Sequence, residues 1–255
     1  GNLSIPTQTG AGSAFWIEEN DSPTESAQVF GQLLMTPKTV GAYTDYSRKM
    51  LLQRSPDVES LVRADLAAVL ANAVDRAAFN GSGVGAEPLG ILGTSGIGSV
   101  AVGANGGPVT WAHVLELERQ LLAAYNDPAA IGYVMTQNLR TKLKQTVKVS
   151  GDTTGNFIWQ DGQRPGDGLV NGYAAYATTN LPNNLVKGTS GAVCSAMLFG
   201  DFSQIILAYW GGLDLMVDPY TNGTSGGRRV IALLDLDIAI RHAGSFAALK
   251  DATTT

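Results

Sequence analysis

The residues best spaced for chemistry lie near the C-terminal end. Gly223-Thr224-Ser225-Gly226-Gly227 fits the G-x-S-x-G pattern of a nucleophile elbow, and Asp235 and His242 follow in the order of a hydrolase triad. An elbow needs a strand before the serine and a helix after it. Here a strand-like run follows at once and holds both would-be partners, so a glycine-rich loop between two β segments is the better reading. Serine hydrolysis through Ser225 stays a remote alternative. Gly81-x-Gly83-x-x-Ala86 has the spacing of a dinucleotide fingerprint but follows a helical pattern instead of opening one, so it reads as a helix terminator. His113 and His242 are the only histidines, and neither has a Cys, His or acidic neighbour at ligand spacing. Asp235 and Asp237 stand two apart with Arg241 on one face of a strand, a pattern that suits ion pairing better than acid–base catalysis. No phosphate loop, metal knuckle or zinc-protease signature is present. The expectation is no enzyme, no metal and no cofactor.

Composition narrows the classes further. Of 255 residues, 15% are charged against a usual quarter, 44% are apolar, and 31 are glycine. Much of the surface is therefore neither charged nor held in regular elements, which suits a chain covered in part by other chains. The net charge of −5 argues against a dedicated nucleic-acid binder. The cluster Arg140, Lys142, Lys144 and Lys148 reads as a solvated helix or loop face. The single Cys194 leaves no intrachain disulfide. No apolar run is long enough to cross a bilayer. The chain opens on Gly1 with no signal-peptide pattern, which suggests a processed or truncated product.

The elements that would position these residues centre on Ser55–Gly83. Ser55 suits an N-cap and Pro56 the first helical position. Val58, Leu61, Val62, Leu66, Val69, Leu70, Ala73, Val74 and Ala77 recur at spacings of three and four, one apolar stripe of a helix. Glu59 and Arg63 make a favourable i,i+4 pair. About 24 residues at 1.5 Å each give a rod of roughly 36 Å. Val230–His242 alternates, with Val230, Ala232, Leu234, Leu236, Ile238 and Ile240 on the face expected to pack on that stripe. A second helix runs from Thr110 to Tyr125, with Val114, Leu117, Leu121 and Leu122 inward and Asn126-Asp127-Pro128 as its stop. Ile131–Met135 reads as a buried strand, Gln137–Val149 as helix, Asp152–Asp167 as loop and Leu169–Thr178 as strand. Thr39–Gln53 is mixed, and Leu181–Thr189 reads as turn. Gln204–Trp210 and Leu213–Val217 flank Gly211-Gly212, the spacing of a tight hairpin. Phe246–Leu249 is a short apolar end before a tail at Asp251–Thr255.

The N-terminal stretch is unusual in a different way. Residues 1–37 hold no Lys or Arg but carry Glu18, Glu19, Asp21 and Glu25. Ser13–Glu18 reads as one strand of a hairpin, Glu19–Ser26 as its polar tip and Ala27–Met35 as the return. Phe15, Trp16 and Ile17 are consecutive, so both faces of the first strand need cover, and two strands alone are marginal in water.

Several segments, in order, resemble the major capsid proteins of tailed phages with the Hong Kong 97-type capsid fold. They are Ala14–Glu18, Leu34–Lys38, Ser47–Leu52, Phe79–Gly83, Glu87–Leu92, Gly168–Tyr173, Phe199–Phe202 and Asp237–Phe246. The resemblance implies an α+β fold. A long spine helix would pack on a long-stranded antiparallel sheet in a peripheral domain, residues 36–107 and 201–241. A mixed α/β axial domain would take residues 108–200 and 242–255. The first 35 residues would be the extended loop lying across a neighbouring subunit.

It also implies a structural role: self-assembly as pentamers and hexamers into an icosahedral shell, with contacts between neighbouring capsomers, around non-specifically held double-stranded DNA. The protein would belong to the virion of a bacteriophage or prophage, assembled in the bacterial cytoplasm without a membrane. Portal, scaffold segment and decoration protein are the further partners implied. The alternative use of such a fold is an encapsulin-like shell around protein cargo. Within the extended loop, Phe15, Trp16, Ile17, Glu18, Glu19, Glu25 and Phe30 are the expected intersubunit contacts, and Arg48, Lys49 and Arg54 the basic partners for its acidic tip. The spine core is Val58, Leu61, Val62, Leu66, Val69, Leu70 and Val74. Family members that weld subunits by an isopeptide bond use a Lys in this loop and an Asn on a neighbour. Here no Lys precedes Lys38, and Arg228-Arg229 stand near the Asn position, so no such crosslink is expected. An N-terminal arm usually precedes the extended loop, and it is expected to have been cleaved or left out.

Overall fold

A computed structural model describes residues 1–10, 12–19, 21–22, 24–52, 58–124, 130–164 and 166–254, with 51, 52, 58 and 59 described by backbone alone. The N-terminal ribbon pairs β1 (Leu3–Gly10) with β2 (Val29–Met35), antiparallel, from Leu3 opposite Met35 to Gly10 opposite Val29. The first strand is therefore not Ser13–Glu18. Leu3, Ile5 and Thr7 alternate opposite Met35, Leu33 and Gly31, a better match to period two than three consecutive bulky residues. Pro6 is tolerated because an edge strand leaves alternate N–H groups outward. Phe15, Trp16 and Ile17 fall instead in the tip, where the described residues of 12–28 carry no strand.

Next come β3 (Lys38–Tyr46), α1 (Arg48–Leu52) and α2 (Val58–Asn80). Tyr46 of β3 is buried, and the segment expected to be mixed is a regular strand followed by a helical turn. The cap residues Ser55 and Pro56, and Arg54, lie outside the described residues, as do the side chains of Val58 and Glu59. α2 ends where Gly81 donates its N–H to the Ala77 carbonyl and the chain folds back so that Gly90 N–H reaches the Gly81 carbonyl. A Cβ on Gly81 would stand 2.2 Å from the Pro88 carbonyl oxygen, so only glycine fits this crossing.

The middle of the chain supplies β4 (Gly98–Val100), α3 (Trp111–Ala124), β5 (Ile131–Thr136), α4 (Gln137–Leu143), β6 (Trp159–Asp161), β7 (Gly168–Val170), β8 (Tyr173–Thr178) and β9 (Leu185–Val186). The Asn126-Asp127-Pro128 stop lies outside the described residues, and Leu122 is exposed instead of inward. α4 is shorter than expected because Thr146 donates its hydroxyl to the Lys142 carbonyl and Val147 bridges to Phe157. The run 169–178 is two strands, turned at Asn171-Gly172, where both residues have positive φ (53° and 81°). That is the backbone a two-residue hairpin turn requires.

The last third holds β10 (Ala192–Asp201), β11 (Ile205–Tyr209), β12 (Asp214–Asp218), β13 (Arg228–Ile240) and β14 (Phe246–Thr253). β11 and β12 do not form a hairpin. Both pair antiparallel with β13, Tyr209 opposite Leu236 and Asp214 opposite Leu233, so they run in line along one edge of it with Gly211-Gly212 as an interruption. β3 pairs with the other edge. The sheet's inner face meets α2: Leu66 and Leu70 pack with Tyr46, Val230 and Ala232, and Val74 packs with Leu236 and Ile238. Leu61 and Val69 do not join this core; they are 62% and 50% exposed. They sit about 100° around the helix from Val62 and Leu70, and a helix lying on a sheet buries only the stripe beneath it.

The larger sheet has the order β4-β14-β10-β5-β8-β7-β6, with β9 also on β10. The C-terminal segment is thus a buried inner strand of this sheet, not a short end and tail. β4, which lies within the range expected for the peripheral domain, joins it in parallel with β14. On one face α3 and α4 cover Tyr133, Met135, Met197 and Phe199, and on the other Ile91, Leu92 and Leu181 cover Val134, Leu198 and Phe246. The architecture is mixed α+β.

Candidate assembly surfaces

The most exposed apolar side chains belong to the ribbon. Trp16 is fully exposed, Phe15 and Ile17 about half so, and Val29, Phe30 and Leu34 more than half. Glu18, Glu19 and Glu25 are exposed beside them, and no ion pair among the described residues includes them. The tip is tied locally: Ser13 N–H donates to Ser26 Oγ at 3.0 Å, Ser26 Oγ donates to the Ser13 carbonyl at 3.1 Å, and Asp21 N–H meets the Glu18 carbonyl. These bonds shape the tip without covering its apolar residues. Sequence reasoning missed Leu3, Val29 and Leu34 as part of this surface; the alternation of Leu3, Ile5 and Thr7 was the available signal.

The ribbon's root, by contrast, is buried. Met35 has no exposed surface, Thr36 N–H donates to Asp237 Oδ2 at 2.9 Å, and Lys38 Nζ donates to Asp237 Oδ1 at 3.1 Å. Trp210 Nε1–H donates to the Gly1 carbonyl at 2.7 Å. The outer strand face thus carries its carboxylates in named bonds, with Asp235 Oδ1 accepting from the Thr39 hydroxyl at 2.5 Å.

The outward face of the small sheet is a second open surface. Tyr43, Ile231 and Met216 stand directly opposite one another across β3, β13 and β12, and Tyr43, Met216 and the adjacent Leu233 are exposed. At one end Arg229 grips Asp45 with Nε and Nη2 at 2.7 and 2.8 Å and lies 4.6 Å over the Tyr43 ring. That pairing holds the Asp45 carboxyl below its ordinary value. Arg48 and Lys49 are exposed on α1, with Arg48 beside Gly226, and Arg228 is exposed at the start of β13. The exposed Leu61 and Val69 make a third strip. An apolar groove lies between α2, β3 and the loop at Val84–Pro88, with a volume of about 470 Å³.

The residues that suggested chemistry are not gathered into a site. Ser225 donates its hydroxyl to the Asn222 carbonyl at 3.0 Å, in a 3-10 turn after which Gly226 has φ 67°, and Asp235 is held by Thr39. Gly81 and Gly83 are packed against the Pro88–Leu89 segment, leaving no cradle for a phosphate. His113 Nδ1 lies 3.1 Å from the Thr110 N–H and serves the start of α3. Among the described residues no group of three or more His, Cys, Asp or Glu is placed to hold a metal. The basic cluster is largely spent: Arg140 lies 5.0 Å over the Trp159 ring, Lys144 pairs with Asp161 at 2.5 Å, and Lys148 lies 4.8 Å over Trp111. What remains open is apolar surface on an arm and on a sheet, which is the chemistry of contact between macromolecules.

Comparison with known proteins accords with this. A major capsid protein of Halomonas phage phiHAP-1 is 28% identical over 246 residues, covering 96% of this chain and 37% of that protein. One from Klebsiella oxytoca phage phiKO2 is 22% identical over 221 residues, covering 84% of this chain and 49% of that protein. The chain spans less than half the length of either curated relative. Among solved structures, the capsid of a native GTA particle superposes with a TM-score of 0.76 at 19% identity, over 99% of this chain and 85% of that one. Gordonia phage Cozz gives 0.71 at 16% identity, over 97% and 80%. At such identities the likeness is one of fold. The profile of the phage capsid family, however, matches residues 1–251 directly, and the chain belongs to that family.

Proposed function

We propose that this chain is the shell-forming body of a phage major capsid protein, which assembles as pentamers and hexamers into an icosahedral shell around double-stranded DNA and catalyses nothing. The observation that supports this best is an N-terminal arm with a fully exposed tryptophan and no cover within its own chain. In this reading β1, β2 and their tip form the extended loop. α2 with β3 and β11–β13 forms the peripheral unit, and the larger sheet forms the axial unit, to which β4 is added. Phe15, Trp16, Ile17 and Phe30 anchor on a neighbouring copy, and Glu18, Glu19 and Glu25 meet Arg48 and Lys49 there. Apolar burial at about 25 cal/mol per Å² drives the contact, less the cost of association and ordering. No Lys precedes Lys38, so the arm offers no amine for a covalent weld. Portal, scaffold segment and decoration protein would bind features of the assembled shell.

Electron microscopy of the full-length protein expressed with its neighbouring genes tests this. Closed particles containing nucleic acid are expected, and Trp16→Ala should reduce their yield while leaving thermal unfolding of the free chain nearly unchanged. A large loss of stability in the free chain would mean that the arm packs at home. Particles holding protein cargo and no nucleic acid would instead indicate an encapsulin-like compartment.

A further inference from the structure

The link between β2 and β3 is two residues, Thr36 and Pro37. Proline has no N–H, so the link owns a single backbone donor, that of Thr36. Asp237 takes it, and with its other oxygen holds Lys38, the first residue of β3. The same oxygen accepts the N–H of Ile238 at 2.9 Å, which fixes the carboxylate's own direction. Asp237 is 5% exposed although it points to the outer side of the sheet, because the link folds over it. The β3–β13 ladder ends at Lys38 opposite Leu236, so beyond that pair the root depends on this one carboxylate and on the buried Met35.

We propose that Asp237 is the positioning residue that sets the angle of the arm relative to the body. An arm of eight strand residues reaches about 27 Å, so a tilt of about 10° at the root moves its end by about 5 Å. Such a displacement exceeds the tolerance of a packed contact, and Asp237 thereby decides where on a second copy the arm can land. That last step rests on the capsid reading; the pin itself does not.

Pulsed electron paramagnetic resonance on the full chain measures the angle directly. Nitroxides at Thr24→Cys and Asn72→Cys report arm against body, and a pair at Asn72→Cys and Lys187→Cys reports the body alone; all three positions are exposed. Labelled chain is diluted in unlabelled chain, and Cys194, fully buried, stays in place. Asp237→Asn and Lys38→Met should each widen the arm–body distance distribution at least about twofold and leave the body pair unchanged. Unchanged arm–body widths in both variants would overturn the proposal and assign the angle to Met35 and the ribbon ladder. If Asp237→Asn does not fold, Lys38→Met decides by the same criterion. A widened arm together with normal shells would uphold the pin and overturn the reading that the arm carries assembly.

Discussion

Glu116 on α3 shows how local the strongest polar pairs of this chain are. Its carboxylate accepts from Arg119 Nε at 2.7 Å and Nη2 at 2.5 Å, and from Gln120 Nε2 at 3.2 Å. The guanidinium, and secondarily the amide, pull its pKa from 4.5 down to about 2. A lowered carboxyl pKa stabilises the fold above the unfolded value and ceases to do so as pH falls through the folded one, here between 4.5 and about 2. Because Glu116 is open to water, its effect on stability is small. Arg119→Ala should return the Glu116 titration midpoint, followed by carboxyl carbon NMR, toward 4.5, with little change in melting temperature. The spacing of that pair is visible in the sequence. The bond from Thr36 to Asp237 is not, because it joins positions 201 apart and only the β3–β13 register brings them together.

At the scale of elements, α2 and β13 were legible because each has one apolar face long enough to show its period. What the pattern overstated was the width of the helix stripe. α2 is rich in alanine, so apolar residues line more of its circumference than the sheet can cover. Leu70→Ala should therefore cost about 2–5 kcal/mol in urea unfolding, whereas Leu61→Ala should cost within about 0.5 kcal/mol. β1 was hidden by Pro6 and by the louder apolar run at Phe15–Ile17, and β3 by its glycine and polar residues. Asn171-Gly172 carries the strongest short hairpin signal in the chain, but apolar residues continue on both sides and make the run look like one strand. Gly211-Gly212 misled in the opposite sense, since two glycines can interrupt a strand as readily as reverse it.

For the whole molecule, the division of surface is plain: a body whose cores are closed, and an arm whose residues are open. Trypsin has no cleavage site before Lys38, but a glutamate-specific protease can cut at Glu18, Glu19 and Glu25. The free chain should be clipped there first, leaving the body intact, and assembled particles should resist. Equal rates of clipping in both states would place the arm outside the contacts of the shell. Family and fold are shown by the comparisons, and the sequence already carried them through the order of short segments. The route of the arm and the orphan faces of α2 and the small sheet are properties of geometry that no single motif encodes.

The in-line arrangement of β11 and β12 along β13 has one more consequence. Gly211 and Gly212 border open space, and the pairings on either side are fixed independently, Tyr209 to Leu236 and Asp214 to Leu233. Residues inserted between them would bulge into solvent and shift neither ladder, so this is the natural place to graft a foreign peptide for display.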